Sequence, residues 1–368
     1  MSKPAVFNLS FSTAWGGLEM SSVKMTRLFH QAGYPSFEVC RPGTPIEQAL
    51  IDQGLSHLPM AAKNYVSPKT SMQLHRELKE RGAKAIFLHS MKDIWLVTPA
   101  LIGLKDIKLI GFARMFFKDI SKKDVGHTLM YSRLDRMIAL SEIQKQHLKN
   151  CLPIPENKFV VIPNGVDTKK FQPRPRRADI RTAWGVNDQQ ILFGLIGRLD
   201  KQKGSLEFVD AASEVLKHHP HARFVMVGGN TLGESEIDTD VKRRLKDLNL
   251  EGKVILTDFR TDMADVMNAL DVFVMPSYEE NFANVMLEAL ASGLACIGTD
   301  SGGTPEILDF GKTGKLCEPK SHRSLAAAMD GMIRHNEVRR TLGERAREKA
   351  LREYDMTAVF RRIEDLVN

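Results

Sequence analysis

Cysteine is scarce in this sequence, and its four cysteines are widely spaced. They form no Cys-x-x-Cys pair, so neither a metal cluster nor a disulfide framework is expected. No apolar run is long enough to span a membrane, and the first apolar stretch is too short for a signal peptide. The expected location is therefore the reducing cytoplasm, and the inner face of the cell membrane is one expected site within it.

A dinucleotide-binding motif is also missing. The glycine turn Gly16-Gly17 follows the apolar run 6–10, but it lacks the Gly-x-Gly-x-x-Gly spacing. No acidic ribose ligand follows about 20 residues later, so a nicotinamide- or flavin-dependent dehydrogenase is not expected. Glycine at both positions can adopt positive φ and let backbone N–H groups approach an anion, although such a turn also occurs for purely structural reasons.

The composition is that of a globular protein with two domains. The chain has 368 residues, of which 43% are hydrophobic and 26% are charged, enough for two domains that each bury a core. Its net charge is +7, and the positive surplus lies in the first half. Residues 1–165 contain 22 Lys and Arg against 13 Asp and Glu, whereas residues 166–368 contain 30 against 32.

Short apolar runs alternate with amphipathic helical patterns along the chain. This alternation predicts an α/β fold of two Rossmann-like domains, each a doubly wound parallel sheet, with a ligand cleft between them. We place the domains at 1–165 and 166–350, followed by a helical segment at 351–368 that crosses back to the first domain. The predicted strands are 6–10, 85–88, 108–112, 136–140, 159–162, 191–196, 223–228, 253–256, 272–275 and 295–298.

Two glutamates, Glu280 and Glu288, stand eight positions apart where a predicted loop runs into a helix. The first turn of that helix offers unpaired backbone N–H groups and a partial positive charge, which suit a diphosphate. Each ionised glutamate can accept two hydrogen bonds, as the diol of a ribose or hexose requires. The alternative is a solvated loop glutamate and a second glutamate that interacts only with the helix dipole.

A second loop carries cations after a predicted strand. The run 191–196 ends at Gly197-Arg198, and Lys203 precedes a helical pattern that begins at residue 205. The planar guanidinium of Arg198 and the ammonium of Lys203 can both reach one diphosphate and neutralise it without a metal ion. Solvated charges in a loop are the alternative, and the glutamate pair argues against it.

Taken in chain order, these motifs resemble those of the retaining glycosyltransferases of family four, the glycogen-synthase-like group with the GT-B fold. The matching segments are 16–19 (Gly-Gly-x-Glu), 162–167 (Ile-Pro-Asn-Gly-Val-Asp), 197–204 (Gly-Arg-Leu-x-x-x-Lys-Gly), 280–288 (Glu-x7-Glu) and 302–306 (Gly-Gly-x-Pro-Glu). The resemblance implies that Arg198 and Lys203 bind the donor diphosphate. It also implies that Glu280 faces the transferred sugar and that Glu288 holds the nucleotide ribose.

The sugar loop departs from the pattern of many family members. They have Glu-Gly-Phe-Gly where this chain has Glu280-Asn281-Phe282-Ala283, and the change bears on which sugar is bound. Backbone N–H groups remain available for the donor. The expected donor-binding residues are Gly16, Gly17, Arg198, Lys203, Glu280, Asn281, Phe282, Ala283, Asn284, Val285 and Glu288.

For catalysis, the resemblance implies front-face substitution without a tightly placed protein nucleophile. The leaving diphosphate, stabilised by Arg198 and Lys203, takes the proton of the incoming hydroxyl as the sugar becomes oxocarbenium-like. These cations and Glu280 are the expected catalytic residues. A histidine assists in many relatives, and His89 is the first candidate, followed by His127; a structural role is the alternative. No Asp-x-Asp metal motif precedes the sugar loop, so neither a metal nor another cofactor is expected.

The basic first half offers candidates for an acceptor or membrane surface. Such charges attract a phosphorylated glycan or an anionic membrane, at about 1 kcal/mol per charge near the membrane. Acidic residues alternate with them and no nucleic-acid motif is present, so nucleic acid is not an expected partner. Solvated charges are the alternative. The candidates are Arg114, Lys118, Lys122 and Lys123.

The predicted activity is retaining transfer of a sugar from a nucleotide-diphosphate donor, preferentially UDP-linked, to a hydroxyl of a glycan or glycolipid acceptor. Bacterial cell-envelope polysaccharide or lipopolysaccharide synthesis is the expected context. Two alternatives stay open. A GT-B sugar-nucleotide epimerase would also bind the donor, and a basic peripheral membrane scaffold would keep a degenerate donor site.

Overall fold

The computed structural model describes residues 3–62, 65–114, 121–229 and 235–367. The chain divides into two compact units. Unit 1 comprises Met1–Pro163 together with Phe360–Asn368, and unit 2 comprises Asn164–Val359. Among the residues in these ranges, no helix is both long and apolar enough to cross a bilayer.

Unit 1 is built on a seven-stranded parallel sheet in the order β3-β2-β1-β4-β5-β6-β7. Its strands are β1 (Ala5–Ser10), β2 (Ser36–Cys40), β3 (His57–Pro59), β4 (Ala83–Leu88), β5 (Lys108–Phe112), β6 (Arg136–Ala139) and β7 (Phe159–Val161). Its helices are α1 (Gly17–Gln31), α2 (Pro45–Asp52), α3 (Pro68–Glu80), α4 (Ile94–Ala100), α5 (Val125–Ser132) and α6 (Glu142–Cys151). All six residues of β1 are buried, as expected for a central strand covered by helices on both faces.

Unit 2 is built on a six-stranded parallel sheet in the order β10-β9-β8-β11-β12-β13. Its strands are β8 (Ile191–Ile196), β9 (Ala222–Val227), β10 (Val254–Thr257), β11 (Val272–Met275), β12 (Ala295–Thr299) and β13 (Lys315–Cys317). Its helices are α7 (Ala178–Ala183), α8 (Ser205–His218), α9 (Ser235–Asp247), α10 (Met263–Met267), α11 (Asn284–Ala291), α12 (Thr304–Ile307), α13 (His322–Arg334) and α14 (Asn336–Glu353). The predicted fold class, two doubly wound parallel α/β sheets, is confirmed.

The last helix, α15 (Met356–Glu364), starts in unit 2 and ends in unit 1. The Phe360 ring packs edge-on against Phe29 of α1, with ring centroids 5.0 Å apart. The carboxylate of Glu364 accepts hydrogen bonds from Lys3 Nζ and from the Tyr34 hydroxyl, both at 2.9 Å. The C-terminal residues are therefore part of the packing of unit 1.

Strand β2 carries a carboxyl group in the interior of unit 1. Glu38 is fully buried, and the hydroxyls of Ser22 and Thr26 in α1 donate hydrogen bonds to its two oxygens at 2.5 and 2.6 Å. Burial raises the pKa of Glu38 to about 7, against the opposing effect of the two hydroxyls. Through these two hydrogen bonds, Glu38 holds α1, the helix that follows the Gly16-Gly17 turn, against the sheet.

We predict that Glu38 makes the protein less stable as the pH rises. With a folded pKa of about 7 and an ordinary value of 4.5, its carboxyl binds more protons in the folded state across this window. The free energy of unfolding therefore falls by about 3 kcal/mol as the pH rises through the window. Urea unfolding at pH 5 and pH 8 measures the fall, and Glu38→Gln should make it smaller by the share of Glu38. Asp93, whose pKa burial also raises to about 7, contributes a fall of its own that remains in this variant. An unchanged pH dependence in Glu38→Gln would contradict the prediction.

Candidate active site

The unit 2 residues that were predicted to act on a donor lie at the carboxyl ends of β8 and β11, where the strand order of unit 2 reverses. Ligands of doubly wound sheets bind at this kind of position. The loop after β8 carries Arg198, which is exposed, and Lys203, which is partly buried. The loop after β11 carries Glu280, and an ion pair joins Lys203 Nζ to Glu280 Oε2. A cation and a carboxylate that lie far apart in the sequence are therefore in direct contact.

The loop after β8 is shaped by a short 3-10 turn. Asp200 begins this turn, and its carboxylate accepts a hydrogen bond from the backbone N–H of Gln202 at 2.7 Å. Gly204 ends it in the left-handed region, at φ +70°. A Cβ atom at Gly204 would lie 2.2 Å from the carbonyl oxygen of Pro276, so glycine is required here both by φ and by space.

The loop after β11 is held from its other side by a glycine pair. The backbone N–H of Gly303 donates to the carbonyl oxygen of Glu280 at 2.9 Å. A Cβ atom at Gly303 would lie 1.9 Å from the carbonyl oxygen of Asn281, and one at Gly302 would lie 2.2 Å from that of Glu280. The Gly-Gly-x-Pro-Glu motif therefore supports the Glu280 backbone, a role that the sequence interpretation did not assign.

The motif at residues 162–167, to which the sequence analysis assigned no role, also contacts the loop after β11. The side-chain amide of Asn164 donates to the carbonyl oxygen of Phe282 at 3.1 Å. The Phe282 ring is buried and packs edge-on against Tyr354, with centroids 5.7 Å apart. The side chain of Phe282 is thus a support for the loop. Sequence spacing alone gave no signal for this contact, because Asn164 lies 118 positions away from Phe282.

Helix α11 starts directly after this loop. Its N-cap is Ala283, whose side chain cannot cap the first-turn N–H groups. Asn284 is exposed at the first position, Val285 is partly exposed, and Glu288 is partly buried one turn later. The helix start as a diphosphate site and Glu288 as a ribose ligand stay predictions.

In unit 1, the Gly16-Gly17 turn leads into α1, with Gly16 as its N-cap. The expected positive φ is not found, because Gly16 has the extended φ of −160° and Gly17 opens the helix. A Cβ atom at Gly17 would meet nothing within 4 Å. The fold of unit 1 therefore does not itself require glycine at these positions.

His89 follows β4 and is 1% exposed, and its ring stacks on Phe112 with centroids 5.1 Å apart. The Arg114 guanidinium approaches His89 Nδ1 at 3.4 Å and can only donate. Nδ1 is therefore the acceptor, and Nε2 carries the proton and donates to Asn8 Oδ1 at 3.1 Å. Burial, with Arg114 beside the ring, holds the pKa of His89 well below its ordinary value. Its catalytic role stays a prediction, and the geometry favours a neutral ring that positions Arg114.

The residues predicted to form one basic surface have different environments. Arg114 is only partly exposed: its guanidinium lies 4.2 Å from the Phe112 ring and next to His89, and burial lowers its pKa to about 10. Its role in an acceptor surface stays a prediction. Lys123 is exposed and Lys122 is partly buried. Lys118 lies outside the described residues.

The catalytic role of His127 and the expected independence from a metal ion stay predictions. His127 lies in α5, where its Nδ1 is 2.5 Å from Asp124 Oδ2 and its ring meets the edge of Trp95. Within the described ranges, His, Cys, Asp and Glu side chains nowhere form a group of three or more that could hold a metal ion.

Comparison with known proteins identifies the class. The family model Glycosyltransferase Family 4 matches residues 15–170, and the model Glycosyl transferases group 1 matches residues 176–349. The two matches define the class as a glycosyltransferase. The chain belongs to glycosyltransferase family four, so the resemblance seen in the motifs is confirmed.

Individual relatives are similar to most or nearly all of the chain, at low sequence identity. A UDP-Gal:alpha-D-GlcNAc-diphosphoundecaprenol alpha-1,3-galactosyltransferase of Escherichia coli is 26% identical over 99% of this chain and 97% of its own. The lipopolysaccharide core biosynthesis mannosyltransferase LpsB of Rhizobium meliloti is 26% identical over 73% of this chain and 74% of its own. The structure of Anabaena HepE in complex with UDP has a TM-score of 0.87 at 18% identity, covering 98% of both chains. The last likeness establishes the fold.

We predict that Glu280 competes with a diphosphate for Lys203. Because the ion pair must loosen before Lys203 reaches a phosphate, Glu280→Gln should tighten the binding of UDP by about two- to fivefold, the range of a partly exposed ion pair. The same change should not tighten the binding of a UDP-sugar to this extent, since the sugar loses its carboxylate partner. Calorimetry measures both, with Glu279→Gln at the exposed neighbour as control. Weaker UDP binding in Glu280→Gln would refute the competition.

Proposed function

We propose that this glycosyltransferase moves a sugar from a UDP-sugar to a hydroxyl of a glycan or glycolipid, with retention of anomeric configuration and without a metal ion. The observation that carries the proposal is the contact between Lys203 and Glu280 at the carboxyl ends of β8 and β11. This contact places one group suited to the diphosphate beside one group suited to the sugar.

The diphosphate and the ribose of the donor each have candidate binding residues in unit 2. Arg198 and Lys203 bind the diphosphate, and the uncapped start of α11 adds backbone N–H donors at residues 284 and 285. Glu288, on the same helix, accepts hydrogen bonds from the ribose hydroxyls. UDP is the proposed nucleotide because the E. coli relative uses UDP-Gal by name and the HepE structure of similar fold contains UDP.

The reaction is a front-face substitution. The bond between the anomeric carbon and the β-phosphate oxygen breaks, and the acceptor oxygen bonds to the same face of the sugar. The hydroxyl proton of the acceptor passes to the departing phosphate oxygen. Arg198 and Lys203 stabilise the negative charge that develops on that oxygen, and the Glu280 carboxylate stabilises the positive charge on the sugar ring.

A cell-envelope acceptor is proposed from two relatives. One is named for a diphosphoundecaprenol-linked sugar and the other for the lipopolysaccharide core. The positive surplus of residues 1–165, with exposed Lys123 among them, supports attraction to an acidic glycan or to an anionic membrane at the inner face of the cell membrane.

We predict selective nucleotide binding that depends on Glu288 and Lys203. Calorimetry with UDP, GDP and ADP should show UDP bound best, and Glu288→Ala or Lys203→Ala should weaken UDP binding by about tenfold or more, as for a lost charge-assisted contact. Glu279→Ala should bind as the wild type does. Equal binding of all three nucleotides, unaffected by either substitution, would remove the site assignment.

We also predict that transfer survives chelation. Since two cations already neutralise the diphosphate, turnover of a UDP-sugar in EDTA should stay within about twofold of its value with added Mg²⁺. The anomeric configuration of the product, read by proton NMR, should equal that of the donor. Loss of turnover in EDTA, or an inverted product, would contradict the proposed mechanism, and a product changed at another ring carbon would indicate an epimerase.

A further inference from the structure

The loop that carries Glu280 has no regular structure of its own. It runs from residue 276 to residue 283, between β11 and α11. Tyr278 ties this loop to the segment that follows β8 by two hydrogen bonds. Its backbone N–H donates to the carbonyl oxygen of Gln202 at 2.8 Å, and its hydroxyl donates to Glu207 Oε1 at 2.6 Å.

The partners of these two hydrogen bonds lie on either side, in the sequence, of Lys203, the cation that is proposed to bind the diphosphate. Gln202 directly precedes Lys203, and Glu207 follows it in the first turn of α8. Tyr278 itself stands two residues before Glu280. The hydroxyl contact of Tyr278 therefore joins the same two segments as the ion pair between Lys203 and Glu280.

The Tyr278 hydroxyl is well placed to hold this connection. Glu207 is partly buried, and its second oxygen, Oε2, is buried with no hydrogen-bond partner in the part of the chain that the structure describes. Burial of Tyr278, together with Glu207, raises the pKa of the phenol to about 12, so it stays a donor. A bond from a neutral phenol to such a carboxylate is charge-assisted. Lys320 Nζ, 5.2 Å from the ring centroid, restrains the ring further.

We infer that Tyr278 is a positioning residue that fixes Glu280 relative to Lys203 during sugar transfer. This inference rests on the function proposed above. The polar groups of Tyr278 bond to Gln202 and Glu207, so its hydroxyl acts on the reaction only through the placement of Glu280. Misplacement of Glu280 weakens the stabilisation of the oxocarbenium-like sugar more than the binding of the diphosphate.

The test begins with Tyr278→Phe, which removes the hydroxyl and keeps the ring. We expect kcat for donor turnover, including hydrolysis of the UDP-sugar by water, to fall about tenfold, and Kd for UDP to stay within about twofold. Glu207→Ala should lose as much as Tyr278→Phe, whereas Glu207→Gln keeps an acceptor oxygen and should recover most of kcat. Because one contact is removed in each case, the double variant with Glu207→Ala should lose no more than either single variant.

A matched control lies in unit 1. Tyr34→Phe also removes a hydroxyl that donates to a glutamate, Glu364, at 2.9 Å, and it should leave kcat unchanged. Wild-type kcat in both Tyr278→Phe and Glu207→Ala would overturn the inference. An equal loss of UDP affinity and kcat would also overturn it, because that result indicates a general loss of the site.

Hydrogen exchange tests the same inference without any substrate. The amides of residues 278 and 303, which donate to the carbonyl oxygens of Gln202 and Glu280, should exchange about tenfold faster in Tyr278→Phe and Glu207→Ala than in the wild type, while those of β11 stay protected. Hydrogen exchange distinguishes a failure of this inference from a failure of the proposed function. A wild type that neither binds UDP nor turns over any UDP-sugar would refute the proposed function, whereas unchanged exchange in both variants would refute the placement of the loop by Tyr278.

Discussion

The close approach of two backbone segments in unit 2 is the constraint on which the rest of the site depends. Gly204, after the β8 loop, lies so close to the carbonyl oxygen of Pro276 that a Cβ atom at this position would overlap that oxygen. Its positive φ imposes the same requirement independently. With the loops this close, Lys203 and Glu280 reach each other as an ion pair. One backbone contact therefore determines both the shape of the site and the pairing of its charges.

The ion pair also explains how charged groups are kept together before a donor binds. A partly buried cation and a partly buried carboxylate would each lose hydration without compensation if they stood alone. Paired with each other, Lys203 and Glu280 compensate one another in part. In the proposed function a donor replaces each partner separately, its diphosphate taking the place of the carboxylate beside Lys203 and its sugar hydroxyls that of the ammonium beside Glu280. The site would then be preorganised by the same charges that the proposed reaction uses.

The sequence predicted the strands that have strong apolar runs and missed those that do not. The bounds of β5, β8 and β11 agree with the prediction, because buried parallel strands have continuous apolar sequences. Strands β2, β3 and β13 were missed because none is a continuous apolar run: β3 reads His-Leu-Pro, β13 reads Lys-Leu-Cys, and β2 contains the buried Glu38. The contacts of Asn164 and Gly303 with the Glu280 loop, and the contact of Arg114 with His89, depend on tertiary packing that sequence spacing does not show.

The exchange of two family glycines for Asn281 and Ala283 has a physical explanation in the backbone. Ala283 has φ −72°, and Asn281 is not among the described residues with positive φ, so neither position needs glycine for its conformation. Both side chains are buried within the loop. A residue with a side chain also loses less backbone entropy on folding than glycine does, which favours one loop conformation. Gly302 and Gly303 face the same loop from outside and cannot be exchanged in this way, because a Cβ atom there would overlap its carbonyl oxygens. The loop can therefore vary in its side chains, whereas the two glycines that hold its backbone cannot be exchanged.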